Sequence, residues 1–160
     1  MDPGPRHRRR NVRIGVVVDA VTPEENALLA DGLRRLGGPL SGLVARLMPA
    51  DVHEVEVALP LPRDEAERIA GAVLHRAGRP AGRLWAVVGS GAMDLNPAVV
   101  TVAVVAESGG THGEGGAGEH RGCETVVRVR GVAKEGLIKQ YAGRKAAERI
   151  AAGLAAITLE

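Results

Sequence analysis

Residues 107–123 read ESGGTHGEGGAGEHRGC and gather seven glycines, two histidines, three glutamates, one serine and the only cysteine of the chain. Two chemistries fit those residue types. His112, Glu114, His120 and Cys123 offer imidazole, carboxylate and thiolate, all ligands that zinc accepts. Against that stands the entropic cost of ordering seven glycines and the lack of a paired Pro-Cys-x-x-Cys half, so no cofactor is expected. Ser108 instead offers a nucleophile. The N–H groups of Gly109 and Gly110, free of obstructing side chains, could meet a developing oxyanion. A serine needs a base: of Lys134, Lys139 and Lys145 the candidate is Lys145, and His112, near in sequence and able to titrate near neutrality, is the other. Thr111 joins the two glycines as a candidate ligand-binding residue. The plainest reading of the stretch is a hydrated connection between two strands.

Other motifs are weaker. GSGAMD at 89–94 places glycines and Ser90, a further candidate ligand contact, after a strand. Asn96-Pro97 and another strand follow it instead of a helix, so it fits no phosphate-binding loop. RKAAERIAA near the end mixes its charges, as a solvated helix face does.

The elements that must carry these residues are read from periodicity. RIGVVVD at 13–19 is a short β-branched run and predicts a buried strand. In TPEENALLADGLRRLGG, Thr22 caps, Pro23 suits the first helical position, Glu25 completes a capping box and Gly37-Gly38 ends the helix, with Leu29, Leu33 and Leu36 expected on its inner face. Leu40 to Met48 predicts a second helix. VHEVEVALP alternates, with Val55, Val57 and Leu59 on one side and Glu54, Glu56 and Ala58 on a wet or interfacial one. A helix from Asp64 to about Gly78 shares Ala66, Ile69 and Val73 on one face. RLWAVVGSG and AVVTVAVVA are strands, the second so apolar that both faces are expected to be covered. ETVVRVRG alternates, Leu137 to Tyr141 adds a short strand, and GRKAAERIAAGLAAI closes as a helix with Ala147, Ile150, Leu154 and Ile157 inward. The expectation is one α/β or α+β domain over residues 13–160, a single sheet of about five to six strands covered by three to four helices.

Composition narrows the function classes. Apolar residues make up 45% of the 160-residue chain, so a real core is possible, yet Phe is absent and Trp85 and Tyr141 are the only aromatics. A groove for single-stranded nucleic acid, which stacks bases on rings, is therefore disfavoured. Residues 1–13 hold five arginines against one aspartate, leaving the rest of the chain mildly acidic although the net charge is +2. The RHRRR segment within residues 1–12 reads as a solvated basic tail able to attract nucleic acid only weakly. No run suits a signal peptide or a spanning helix, and one cysteine builds no intramolecular disulfide, so a cytoplasmic protein is the default.

IGVVVDAVTPEE at 14–25, MPADVHEVEVALPLP at 48–62, AERIAGA at 66–72 and SGGTHG at 108–113 resemble segments of the ring-opening amidohydrolases, the cyanuric acid hydrolase and barbiturase family. That family builds three similar domains around a pseudo-threefold axis with paired Ser and Lys residues facing the centre. The resemblance implies a homotrimer of this chain, associating through a sheet face or edge, that binds or hydrolyses a small cyclic amide. Ser108 matches the serine of the family's Ser-Gly-Gly-Thr motif. The lysine that the resemblance expects after Val-His falls on Ala58, so the base would be another lysine, from this or a second subunit, or His112. A noncatalytic, oligomeric module that binds a small ligand is the competing expectation.

Overall fold

The computed structural model describes residues 12–15, 20–90, 96–108, 123–136 and 140–157. They form one antiparallel sheet in the spatial order β1-β2-β6-β5-β4-β3, built from β1 (Val12–Gly15), β2 (Ala50–Leu59), β3 (Arg79–Gly82), β4 (Trp85–Ser90), β5 (Asn96–Ser108) and β6 (Glu124–Lys134). Four helices accompany it: α1 (Pro23–Gly37), α2 (Pro39–Leu47), α3 (Arg63–Ala77) and α4 (Ala142–Ile157). Of the two expected classes, this is α+β.

One face of the sheet carries α3 and α4. Period-two alternation turns Val55, Val57 and Leu59 of β2, Val127 and Val129 of β6, Ala98, Val100 and Val102 of β5 and Ala86 and Val88 of β4 to that side. There they pack with Ala66, Ala70 and Leu74 of α3 and Ala146, Ala147, Ile150 and Leu154 of α4 in one buried cluster. Backbone approaches backbone where α4 crosses β6: a Cβ on Gly131 would collide with the carbonyl of Gly143, so both positions need glycine.

The opposite face meets α1, where Leu29 packs on Val99 and Val132, with Trp85 and Val87 alongside. The capping box forms as expected. Thr22 Oγ1 accepts from the Glu25 N–H at 3.1 Å and Glu25 Oε2 accepts from the Thr22 N–H at 2.8 Å. Gly38, at φ 81°, ends the helix. Glu25 also reaches the sheet: Arg130 Nε donates to its Oε1 at 2.9 Å, Arg130 Nη1 donates to Glu54 Oε1 at 2.9 Å, and Arg130 Nη2 donates to the Ala20 carbonyl at 3.1 Å. Both carboxylates are buried. The Glu54 side of β2 is thus the interfacial face, not a wet one.

Several expectations are corrected. Leu36 is 51% exposed and Ile157 37% exposed. Leu36 sits in the last turn of α1, where α2 rather than the sheet is the neighbour, and Ile157 lies at the last residue of α4. β5 is not covered on both faces along its whole length: Val102 is buried and Val104 packs against the α3–α4 core, but Ala103 and Val105–Ser108 are exposed. β3, between the end of α3 and RLWAVVGSG, was not among the expected strands. Residues 16–19 and 137–139 lie outside the described residues, and Gln140 and Tyr141 are not strand.

Candidate functional site

β5 outruns β4. Their pairing ends at Trp85–Thr101, with one more bond from the Val102 N–H to the Leu84 carbonyl at 3.0 Å. Beyond that point β5 continues to Ser108 with β6 alone beside it among the described residues. A groove of about 830 Å³ lies along this uncovered edge. Val102, Ala103 and Val104 of β5, Leu84 and Trp85 at the start of β4, and Ala27 and Leu28 of α1 line it. Its charged rim is Arg63 and Glu67 of α3, Arg83 of the β3–β4 turn and Glu24 of α1. Glu67 serves two guanidiniums at once, accepting from Arg63 Nε at 3.1 Å and pairing with Arg83 Nη2 at 2.9 Å. Apolar walls with a few charged groups at the rim, at this volume, are the usual make-up of a small-molecule site.

The same end of the sheet holds Ser108 and Cys123. Ser108 pairs with Glu124, and its hydroxyl, exposed, donates to the Glu124 carbonyl at 3.2 Å. Glu107 stands at the start of α3, accepting from the Arg63 N–H at 3.2 Å and from the Cys123 thiol at 3.5 Å. Burial, and then the Glu107 carboxylate, push the Cys123 thiol above its usual range. A metal-ligating cysteine needs the opposite, a thiolate. Among the described residues no group of three or more His, Cys, Asp or Glu side chains could hold a metal ion. His112, Glu114 and His120 of the proposed metal set, and Gly109, Gly110 and Thr111 of the proposed oxyanion and ligand set, lie outside the described residues; Ser90 ends β4, opposite Asn96.

Within one chain the structure does not bring Ser108 and Lys134 or Lys145 together, and Lys139 lies outside the described residues. Lys145 is exposed in the first turn of α4, and that turn sits over Gly131 and Asp51. Glu124 to Gly131 spans roughly 23 Å of strand. Lys134 is farther, opposite Ala50 at the other end of β6. It is buried, its Nζ donates to the Met48 carbonyl at 3.3 Å, and burial lowers its proton affinity.

That distant end is built as a closed joint. Glu135 Oε1 accepts from the Ala142 N–H at 2.9 Å and Oε2 from the Gln140 N–H, and Asp51 Oδ2 accepts from the Arg144 N–H at 3.0 Å, so carboxylates cap the first turn of α4. Arg144 Nε donates to Glu148 Oε1 at 2.8 Å, which raises the arginine's proton affinity. His53 is buried beside Glu148, its Nε2 3.9 Å from the carboxylate and without a hydrogen-bond partner.

Sequence reasoning singled out none of Arg63, Glu67, Arg83 or Val104. They come from separate elements and meet only because β4 starts late; the one signal was Trp85, the sole tryptophan, set in a strand. No helix among the described residues is long and apolar enough to cross a membrane. No family model, no curated protein and no solved structure matches the chain.

Proposed function

We propose that this chain binds a small cyclic amide, or a closely related polar metabolite, in the groove along β5, as a relative of the ring-opening amidohydrolases. The observation that carries the reading is the groove itself: a cavity of small-molecule size lined by an indole and by two guanidiniums sharing one carboxylate. A planar ring can lie against Trp85, its carbonyls accepting from Arg83 or Arg63 and its N–H donating to Glu67. The segments resembling the ring-opening amidohydrolases supply the ligand class.

Binding without turnover is the version favoured by the position of Ser108. The strand from Val104 to Ser108 covers roughly 13 Å, and the partner of the serine hydroxyl is a backbone carbonyl, not a base. Hydrolysis by Ser108 requires a lysine from a second chain, in the trimer that the resemblance implies, or His112. Titration with cyanuric acid, barbituric acid and related imides tests binding. One site per chain is expected, weakened up to roughly tenfold in Trp85→Ala through loss of the ring contact. Absence of binding by every imide, or affinity untouched by Trp85→Ala and Arg83→Ala together, would overturn the reading. Turnover abolished by Ser108→Ala, with three chains per particle in sedimentation, would restore the hydrolytic version.

A further inference from the structure

We infer that the ligand is read by the main chain of Val104, whose N–H and C=O form a one-residue slot for a cis amide; this rests on the groove being the binding site. In an antiparallel ladder, alternate residues point their N–H and C=O to opposite neighbours. The Val102 N–H bonds to Leu84 on the β4 side, so Val104, two residues on, points both of its polar groups to that same side. There β4 has not begun. Among the described residues no hydrogen bond meets them, and Val104 lines the groove. The groove is open, so water meets this donor and acceptor in the free protein, and a ligand replaces that water without loss only if it offers a partner to each.

The slot is short on both sides. Leu84 already occupies the Val102 position. On the other side the β5–β6 register shifts between Val104 and Ala106, so a bulge re-aims the strand. An added peptide strand draws its affinity from a run of regularly spaced bonds, and this edge supplies one residue before its register breaks. A single residue exchanges two bonds with a partner that shows one N–H and one C=O along the same edge. Open-chain secondary amides are trans and show them on opposite edges. A small ring forces the amide cis and puts both on one side. The substrate class the slot selects is therefore the unsubstituted lactam or imide, with –NH–CO– free of N-alkylation; Arg83 and Trp85 recognise the remainder of the ring.

The test is an amide-resolved NMR titration of the full chain with hydantoin, its fully N-methylated counterpart and the open-chain N-methylacetamide, repeated on Val104→Pro and Val104→Ala. Proline deletes the N–H while keeping an edge-strand geometry that tolerates it; alanine keeps the N–H. Hydantoin is expected to shift the Val104 amide, the N-methylated ring and the open-chain amide to bind roughly tenfold more weakly or worse, Val104→Pro to lose the ligand and Val104→Ala to keep it within a few-fold. Equal binding of the N-methylated ring, equal binding of the trans amide, or undiminished binding by a folded Val104→Pro each overturns the slot while leaving the groove standing. If Val104→Pro does not fold, the comparison of ligands decides alone. If hydantoin moves no groove resonance, the groove reading and the slot both fall.

Discussion

The two ends of this sheet are finished in opposite ways. Where β2 begins and β6 ends, the first turn of α4 is seated on Asp51 and Glu135, Gly143 lies against Gly131, and the buried side-chain polar atoms of the described residues there have partners, His53 Nε2 excepted. Where β5 leaves β4, a strand edge runs on with no described residue paired to it, beside a groove lined by charged residues. Unmet backbone polarity is expensive wherever water is scarce, so a fold that closes one end so fully and leaves the other open has its rigid scaffold and its binding surface apart. Ser108 and Cys123 belong to the open end; every described lysine belongs to the closed one.

That contrast can be broken from the scaffold side. Arg130→Leu would leave Glu25 a buried carboxylate without its cation and Glu54 with Arg128 alone, 3.5 Å away, and about 3–5 kcal/mol of stability is expected to be lost in urea unfolding. Loss below about 1 kcal/mol would show that water reaches the pair. Burial works to lower the proton affinity of Arg130 and its bonds to Glu25 and Glu54 more than offset it, so the cation is held firmly. Gly131→Val drives a side chain into the α4 backbone at Gly143 and is expected to cost about 3 kcal/mol, whereas an equivalent substitution at exposed Ala106 should change stability by less than about 0.5 kcal/mol.

Two titrating groups sharpen the comparison further, with smaller effects. Lys134, at the closed end, has its proton affinity lowered by burial from an ordinary value of 10.5. Between the lowered folded value and 10.5 the unfolded chain binds the extra proton, so stability rises with pH across that window. Denaturation midpoints measured from pH 8 upward should climb in the wild type and flatten in Lys134→Met. At the open end, the raised thiol of Cys123 should make alkylation by iodoacetamide at pH 8 slower than that of an unstructured cysteine. Glu107→Gln removes the carboxylate and should accelerate it. Alkylation at the free-thiol rate in the wild type would mean that the Glu107–Cys123 contact is not maintained.

Local signals were readable and distant ones were not. Thr22 and Glu25 announce the start of α1 because a capping box needs only four neighbouring residues; that Glu25 also holds Arg130, 105 positions away, leaves no trace in a local window. A signal for the β2–β6 pairing was present. Glu54 and Glu56 alternate with valines in one strand, as Arg128 and Arg130 do in the other, and the register sets Glu54 opposite Arg130 and Glu56 opposite Arg128. The end of pairing on β5 was hidden because VAVVA stays apolar after Val102: what frees its edge is where another strand starts. Leu36 and Ile157 misled for a related reason, since helical periodicity gives a face but not how far the neighbouring layer extends. The groove was illegible in the same sense, its lining drawn from α1, α3, the β3–β4 turn and β5.

Amide hydrogen exchange at Val104 tests the central claim most directly. With its N–H facing the groove and no described strand on that side, Val104 is expected to exchange orders of magnitude faster than Val100, whose N–H faces β4 two rungs inside the sheet, and to slow when a cyclic amide is added. Protection of Val104 equal to that of Val100 in the free protein would contradict the account, because the edge would then already be occupied.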